Sequence, residues 1–326
     1  MSVALASRPS PGHAGDAGAF FEEIACYGCG APGGTPLVTA EDDLTGKAGT
    51  FHFVTCGRCG LAFQNPRVSL EHIREFYDED YIAHRKANWG LLNKAFDRAM
   101  NQLDASKDRL VSRYVTLDGR SAVLDVGCGV GTFLKRMRDR YGASAVGVDF
   151  KDLSSYPALQ GTEFHCGLFY EAPLADGRFD LVTMWHFLEH DYDPIRSLRT
   201  VGRVLKPGGR LVIEVPRLDS VTYRMFGHRW PGLQAPQHTV LYDRAHLLQF
   251  VERAGLECVD YLPYGAFPAY FYLFTGTAFL LLKGRGLNLK RAIYPYFAGK
   301  LLTAPIFAFE KHLNLAMQTV ICRKSQ

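Results

Sequence analysis

Between residues 121 and 262, apolar runs alternate with amphipathic stretches along the chain. The runs Ala122–Val126, Ala145–Val148, Leu181–Trp185 and Leu211–Val215 read as strands, and residues 132–141 and 194–205 between them read as helices. Strands that are apolar on both faces and separated by helices predict a mostly parallel sheet covered on each side. A helix over about 243–254 and a strand over about 256–262 continue the pattern, and Ala316–Arg323 reads as a closing strand.

The periodicity changes outside this region. Residues 1–20 are rich in Ala, Gly, Pro and Ser, which predicts a disordered tail. Residues 21–66 carry short β-like stretches such as Thr50–Val54. A helical linker over 67–118 follows: Ser69 can cap a helix running through Tyr77, and Leu92, Phe96, Ala99, Leu103, Leu110 and Tyr114 recur at helical spacing. The remainder, 119–326, forms the α/β domain with an insert over about 264–312. Residues 261–282 carry no charge, Lys283, Arg285, Lys290 and Arg291 follow, and a second apolar stretch covers 292–309. The first stretch is long enough to span a bilayer, but Pro263, Pro268 and Gly276 interrupt it. Three readings stay open: a helical lid packed on the domain or on a second subunit, a hairpin at the membrane interface, and a two-pass span.

Composition narrows the function. Apolar residues make up 47% of the chain, ample for a core, and the net charge of +4 is too small to suggest a nucleic-acid partner. Residues 1–20 lack a long apolar signal core, so a cytoplasmic setting, peripheral to the membrane if the insert dips into it, is expected. In a reduced compartment paired cysteines suggest metal before disulfide. Cys128, Cys166, Cys258 and Cys322 stand singly in apolar runs, whereas Cys26, Cys29, Cys56 and Cys59 form two Cys-x-x-Cys pairs, each followed by a glycine, Gly30 and Gly60. Two such knuckles predict a closed, structural zinc site that stabilises a segment too short for a large core of its own. A rubredoxin-type iron site and redox-active pairs are the alternatives.

The first strand runs into Asp125-Val-Gly127-Cys128-Gly129-Val-Gly131 at its turn into a helix. Glycines at such a turn let the backbone approach a ligand. Here they alternate, and Asp125 precedes them; a carboxylate there repels a pyrophosphate but can hold an ammonium. Asp149 ends the next strand, where an acid can accept both ribose hydroxyls or simply cap the next helix. With Phe179-Asp180, Glu189-His190, and Leu205-Lys-Pro-Gly-Gly209 before a strand ending Glu214-Val-Pro216, the chain resembles class I S-adenosylmethionine (SAM)-dependent methyltransferases over about 120–262 and the closing strand. The resemblance implies a Rossmann-like sheet with an antiparallel last strand. It also implies that Gly127, Cys128, Gly129 and Gly131 cradle SAM, that Asp149 binds its ribose, and that Phe150, Leu168, Phe169 and Trp185 lie beside it. The stretch after Cys59, Leu61-Ala-Phe-Gln-Asn-Pro66, resembles bacterial methyltransferases with an N-terminal zinc ribbon, which covers the active site or binds a partner.

Acceptor chemistry belongs beyond the fourth and fifth strands. His186-x-x-Glu189-His190 follows the fourth, and His238 precedes a later helix. The arrangement is similar to that of ubiquinone-pathway O-methyltransferases and small-RNA 3′-end methyltransferases, whose Glu-x-x-Glu-His and distant His hold a divalent metal; here His186 replaces the first Glu. Three readings arise for His186, Glu189, His190 and His238: a histidine general base, a second divalent metal, or groups that only orient the loop. Tyr223, Arg229 and Trp230, in the aromatic-rich loop 217–235, are expected to touch the acceptor, a small or lipid-linked metabolite methylated at O, N or C. A membrane-facing insert would favour the lipid-linked class. A non-catalytic scaffold is the reading from a different class, and the intact glycine loop argues against it.

Overall fold

The computed structural model of the chain describes residues 20–77, 93–283, 287, 295–296, 298–301 and 313–324. The tail, Arg285, Lys290, Arg291 and most of the insert beyond Lys283 lie outside the described residues.

Thirteen strands form three sheets among the described residues. The N-terminal segment holds β1 (Phe21–Glu22), β2 (Thr35–Ala40), β3 (Phe51–Thr55), β4 (Ala62–Gln64) and β5 (Arg67–Val68). The main sheet comprises β6 (Ala122–Val126), β7 (Ser144–Asp149), β8 (Glu163–Cys166), β9 (Phe179–Trp185), β10 (Leu205–Pro216), β12 (Leu256–Leu262) and β13 (Met317–Lys324). Its spatial order is β12-β13-β10-β9-β6-β7-β8, with β13 antiparallel to both neighbours. The order reverses between β6 and β9, so their carboxyl ends open a crevice there, the usual ligand position in such sheets.

Most sheet residues are buried on both faces, as a two-sided cover requires. Asp180 fixes one corner: its carboxylate accepts from Ala122 N–H and from Lys206 Nζ, both at 2.7 Å, joining the starts of β6, β9 and β10. Helices α1 (Asn93–Val111), α2 (Thr132–Tyr141), α3 (Pro194–Val204), α4 (Val221–Phe226) and α5 (Arg244–Arg253) flank the sheet. Asp193 and Asp243 cap α3 and α5 by accepting the Arg196 and His246 backbone N–H groups.

Two expectations change in detail. The helix from Ser69 through Tyr77 is only a short 3-10 turn over Ile73–Phe76, because Ser69 turns its hydroxyl to His72 rather than capping a longer element. The insert begins with α6 (Ala269–Leu282), whose Gly276 lies against Phe226 of α4 so closely that a Cβ would come within 2.4 Å of that ring. Among the described residues no helix is long and apolar enough to cross a membrane.

The cysteine-bearing segment shares its sheet with the α/β region. The strand β11 (Val240–Leu241) pairs antiparallel with β4, giving the order β11-β4-β3-β2. Cys26, Cys56, Leu61 and Phe63 accordingly pack in one hydrophobic cluster with Tyr242, Leu247 and Val320.

Asp108 joins α1 to α2. Its carboxylate, 1% exposed, accepts from Arg136 Nε at 2.7 Å, Arg140 at 2.9 Å and the Tyr141 hydroxyl at 2.6 Å. Both arginines keep partial access to water, so losing the acid costs less than breaking a fully buried pair. Asp108→Ala is expected to lower stability by about 2 kcal/mol, read as a shifted urea midpoint at unchanged slope.

Candidate functional site

The glycine turn occupies the crevice. Gly127, Gly129 and Gly131 all have positive φ, at 71°, 52° and 81°. A Cβ on Gly131 would sit 2.3 Å from Leu159, so this glycine serves helix packing, and it lines neither of the neighbouring cavities. Gly129 donates its N–H to Asp149 Oδ2 at 3.0 Å, and Lys151 N–H reaches Oδ1 at 3.1 Å.

Two cavities meet at this turn. The first, about 120 Å³, is lined by Gly127, Gly129, Asp149, Phe150, Leu168 and Phe169 together with Leu70, Ile73 and Tyr77. The second, about 790 Å³, shares Gly127, Gly129, His186 and His190 with it and extends past Cys128, Trp185, Trp230 and His238 to the aromatic face of α6. Asp125 stands behind this surface rather than on it, its Oδ1 accepting from Thr183 Oγ1 at 2.6 Å. Tyr223 and Arg229 also line neither cavity: Tyr223 packs edge-on against Trp230, and Arg229 pairs with Glu41 and Asp43. Trp230 is 1% exposed and donates its indole N–H to Thr222 Oγ1 at 3.0 Å.

Burial dominates the electrostatics of the two acids. It lifts Asp125 to about 7, against Lys107 and Thr183, and Asp149 to about 6, against the N–H groups of Lys151 and Gly129.

His186 follows β9 with φ 54°, a left-handed backbone uncommon for a residue with a side chain. This turn sets its ring between two buried acids, Nδ1 at 3.5 Å from Glu189 and Nε2 at 3.4 Å from Glu214. Burial alone would lower the imidazole, but the two carboxylates outweigh it and raise it to about 9. His238 is the opposite case. Burial holds it below the ordinary histidine value, against the attraction of Glu189. Its Nδ1 lies 2.8 Å from the Gly232 carbonyl, which can only accept, so Nδ1 carries the proton and Nε2 bears the lone pair. The His190 and His238 rings meet edge to face at 4.4 Å, and Tyr77 hydroxyl reaches His190 Nδ1 at 2.9 Å. Glu189, His190 and His238 offer ligand atoms within 4.8 Å of one another, and neither Glu189 oxygen has a hydrogen-bond partner.

Sequence reasoning passed over Tyr77, Asp104, Lys107 and Glu214. Asp104 and Lys107 are one turn apart on α1 and line the second cavity. That spacing was the available signal, but it is common on solvated helices.

In the N-terminal segment, Cys26 Sγ lies 3.5 Å from Cys59 Sγ, and Cys29 Sγ 3.5 Å from Cys56 Sγ. Gly30 and Gly60 close the two knuckles by donating to the Cys26 and Cys56 carbonyls. All four sulfurs lie within 4.8 Å of one another.

A family described as a methyltransferase domain matches residues 96–261, half of the chain. The chain belongs to the SAM-dependent methyltransferases. The enzyme is 32% identical over 211 residues to the ubiquinone biosynthesis O-methyltransferase of Hahella chejuensis, covering 58% of this chain and 85% of that one. It is 35% identical over 116 residues to an uncharacterized 37.1 kDa protein in transposon TN4556 of Streptomyces fradiae, where the match covers 32% of this methyltransferase and only 34% of the relative's own length. Among solved structures, Haemonchus contortus phosphoethanolamine N-methyltransferase 2 in complex with SAM aligns at TM-score 0.47 and 16% identity, covering 69% of this chain and 53% of that one.

A carboxylate accepts two ribose hydroxyls best when ionised, so an Asp149 that binds a ribose would do so above its own pKa. The raised value has the reverse effect on the free enzyme: the protonated form favours folding, and this contribution fades as pH rises from the ordinary 3.8 through about 6. S-adenosylhomocysteine should therefore bind about tenfold more tightly at pH 7 than at pH 5 by calorimetry, and Asp149→Asn should flatten that dependence.

Proposed function

We propose that this methyltransferase alkylates a nucleophile, with a hydroxyl favoured, at the polar end of a small acceptor whose body is apolar. The observation that carries the reading is the second cavity. It begins at the glycine turn and His238 and continues between Leu103 of α1 and the Phe271, Tyr272, Phe274 and Phe279 rings of α6. A mainly apolar lining that also carries polar groups, among them His238, Asp104 and Lys107, suits an amphipathic ligand.

SAM supplies an electrophilic methyl on a sulfonium, a reaction in which the leaving group needs little help. The protein must place the nucleophile and take its proton. Asp149 accepts the ribose hydroxyls, the N–H groups of the glycine turn approach the methionine portion, and Phe150, Leu168 and Phe169 pack against the adenine. His238, neutral and with Nε2 directed toward Glu189, is the general base. Charged His186 offsets Glu189 and Glu214, so the proton arriving on His238 is stabilised by Glu189 at 4.0 Å. Trp230 shapes the acceptor wall, while Tyr223 and Arg229 support it from behind.

A divalent cation on Glu189, His190 and His238 is the second reading, favoured by ligand atoms that lie within 4.8 Å of one another. Loss of turnover with EDTA and its return with a divalent ion would select it over the metal-free base.

The four cysteines hold a structural zinc ion in this reading. A tetrahedral zinc with sulfurs at about 2.3 Å separates them by about 3.8 Å, close to the spacing present. The purified protein should contain one zinc per chain by mass spectrometry, and its removal by a strong chelator should lower the melting temperature.

The base assignment is tested with a panel of 4-alkylphenols and alkylhydroquinones, with S-adenosylhomocysteine formation as the readout. His238→Ala should reduce turnover by about 10²–10⁴-fold while S-adenosylhomocysteine affinity stays unchanged. Full turnover in both His238→Ala and His190→Ala would refute a histidine base, and absence of turnover across the wild-type panel would refute the acceptor class.

A further inference from the structure

The acceptor cavity is not built by the α/β domain alone. Ala40, at the end of β2, and Glu41, Asp43 and Leu44, in the loop that follows, line it from the cysteine-bearing segment. The α6 aromatics and the glycine turn line the same cavity.

The loop is held in place from several sides. Arg229 pairs with Glu41 at 2.8 Å and with Asp43, and its side chain is only 14% exposed. Asp42, buried at 1%, accepts the Thr45 N–H at 2.9 Å and the Thr45 hydroxyl, which keeps the turn tight. Leu287 donates its N–H to the Leu44 carbonyl at 3.2 Å, tying the loop to the insert. Arg229 stands between His228 and Trp230, both cavity residues, in the loop that leads to His238. Arg229 thus pairs with both acids that reach the cavity and offsets one of their two charges, while Ala40 and Leu44 add apolar surface to the same wall.

We propose that residues 40–44 of the cysteine-bearing segment form the specificity wall of the acceptor site, limiting the length and width of the apolar body that fits, with Arg229 as the positioning residue that fixes this wall. The proposal rests on the methyl-transfer reading for its substrate, but not for its geometry. It gives the segment a role in acceptor selection; none of these residues lines the first cavity, where Asp149, Phe150, Leu168 and Phe169 lie.

The test uses the full chain and two probes. Binding of 1-anilinonaphthalene-8-sulfonate reports the apolar cavity, and calorimetric binding of S-adenosylhomocysteine reports the cofactor site and correct folding. Leu44→Trp fills the cavity from the wall side and should raise the dye Kd about fivefold or more, since overfilling a packed site is unfavourable. Arg229→Ala should weaken dye binding as well, with partial recovery in Arg229→Lys, while S-adenosylhomocysteine affinity stays within about twofold in all three, as expected for separate sites. In turnover, Leu44→Trp should shift the preferred 4-alkylphenol toward shorter chains. Unchanged dye binding in Leu44→Trp would overturn the proposal, as would an equal loss of dye and S-adenosylhomocysteine binding in both Leu44→Trp and Arg229→Ala. Failure of the wild-type enzyme to methylate any acceptor would instead count against the methyl-transfer reading, because the dye measurement needs no turnover.

Discussion

A buried carboxylate, Glu214, is the point on which the site depends. It is fully enclosed near the carboxyl end of β10, where an unpaired charge would be strongly disfavoured. Burial alone would raise its pKa, yet His186 and the N–H groups of Ala266 and Phe267 outweigh that and hold it low. Those N–H groups lie at 2.5 and 3.0 Å, and Thr319 of β13 donates at 3.4 Å. One carboxylate thus fixes the left-handed turn after β9, the first residues of the apolar insert and the antiparallel strand. Removing it would leave His186 Nε2 and two backbone donors without their acceptor, with Glu189 still beside the imidazole, so the second cavity and the sheet edge would loosen together.

The parts of the fold legible in the sequence are those whose burial is complete. β6, β7 and β9 read as apolar runs because both faces of the sheet are covered. β8, at the sheet edge, carries no such run because its residues Glu163, Phe164, His165 and Cys166 are half-buried or exposed. β1, β5 and β11 have two residues each; nothing local marks them, since they exist only through partners far along the chain. Residues 205–209 read as the approach to a strand, whereas β10 already begins at Leu205 by pairing with Phe179 across an irregular register. Local pattern reports burial well and long-range pairing poorly.

The same division holds for the site. The glycine turn and Asp149 were legible because local backbone geometry and a strand end determine them. The roles of Glu214, Tyr77 and Arg229 were not, because each depends on a contact with a distant segment: Glu214 with residues 266–267, Tyr77 with His190, and Arg229 with Glu41 and Asp43. Arg229, expected to touch the acceptor, is turned to Glu41 and Asp43 and lines neither cavity. Asp125 shows a similar limit. Its position before the glycines suggested direct contact with an ammonium, while the structure turns it to Thr183 beneath the cavity surface, from which its charge acts only at a distance.

The cysteine segment looks separable in sequence, with its own paired ligands and a linker behind it. Its packing makes it part of the enzyme. β4 takes β11 as a neighbour, and β11 lies between His238 and the cap of α5 at Asp243. On α5, His246 reaches the Cys59 carbonyl at 2.9 Å and Asp243 at 2.9 Å. Any ordering of the four thiolates therefore bears on the segment that holds His238, through a two-residue strand and one imidazole. A structural metal at that place would brace the strand that runs on from His238 and, through the same sheet, the end of β2 at Ala40.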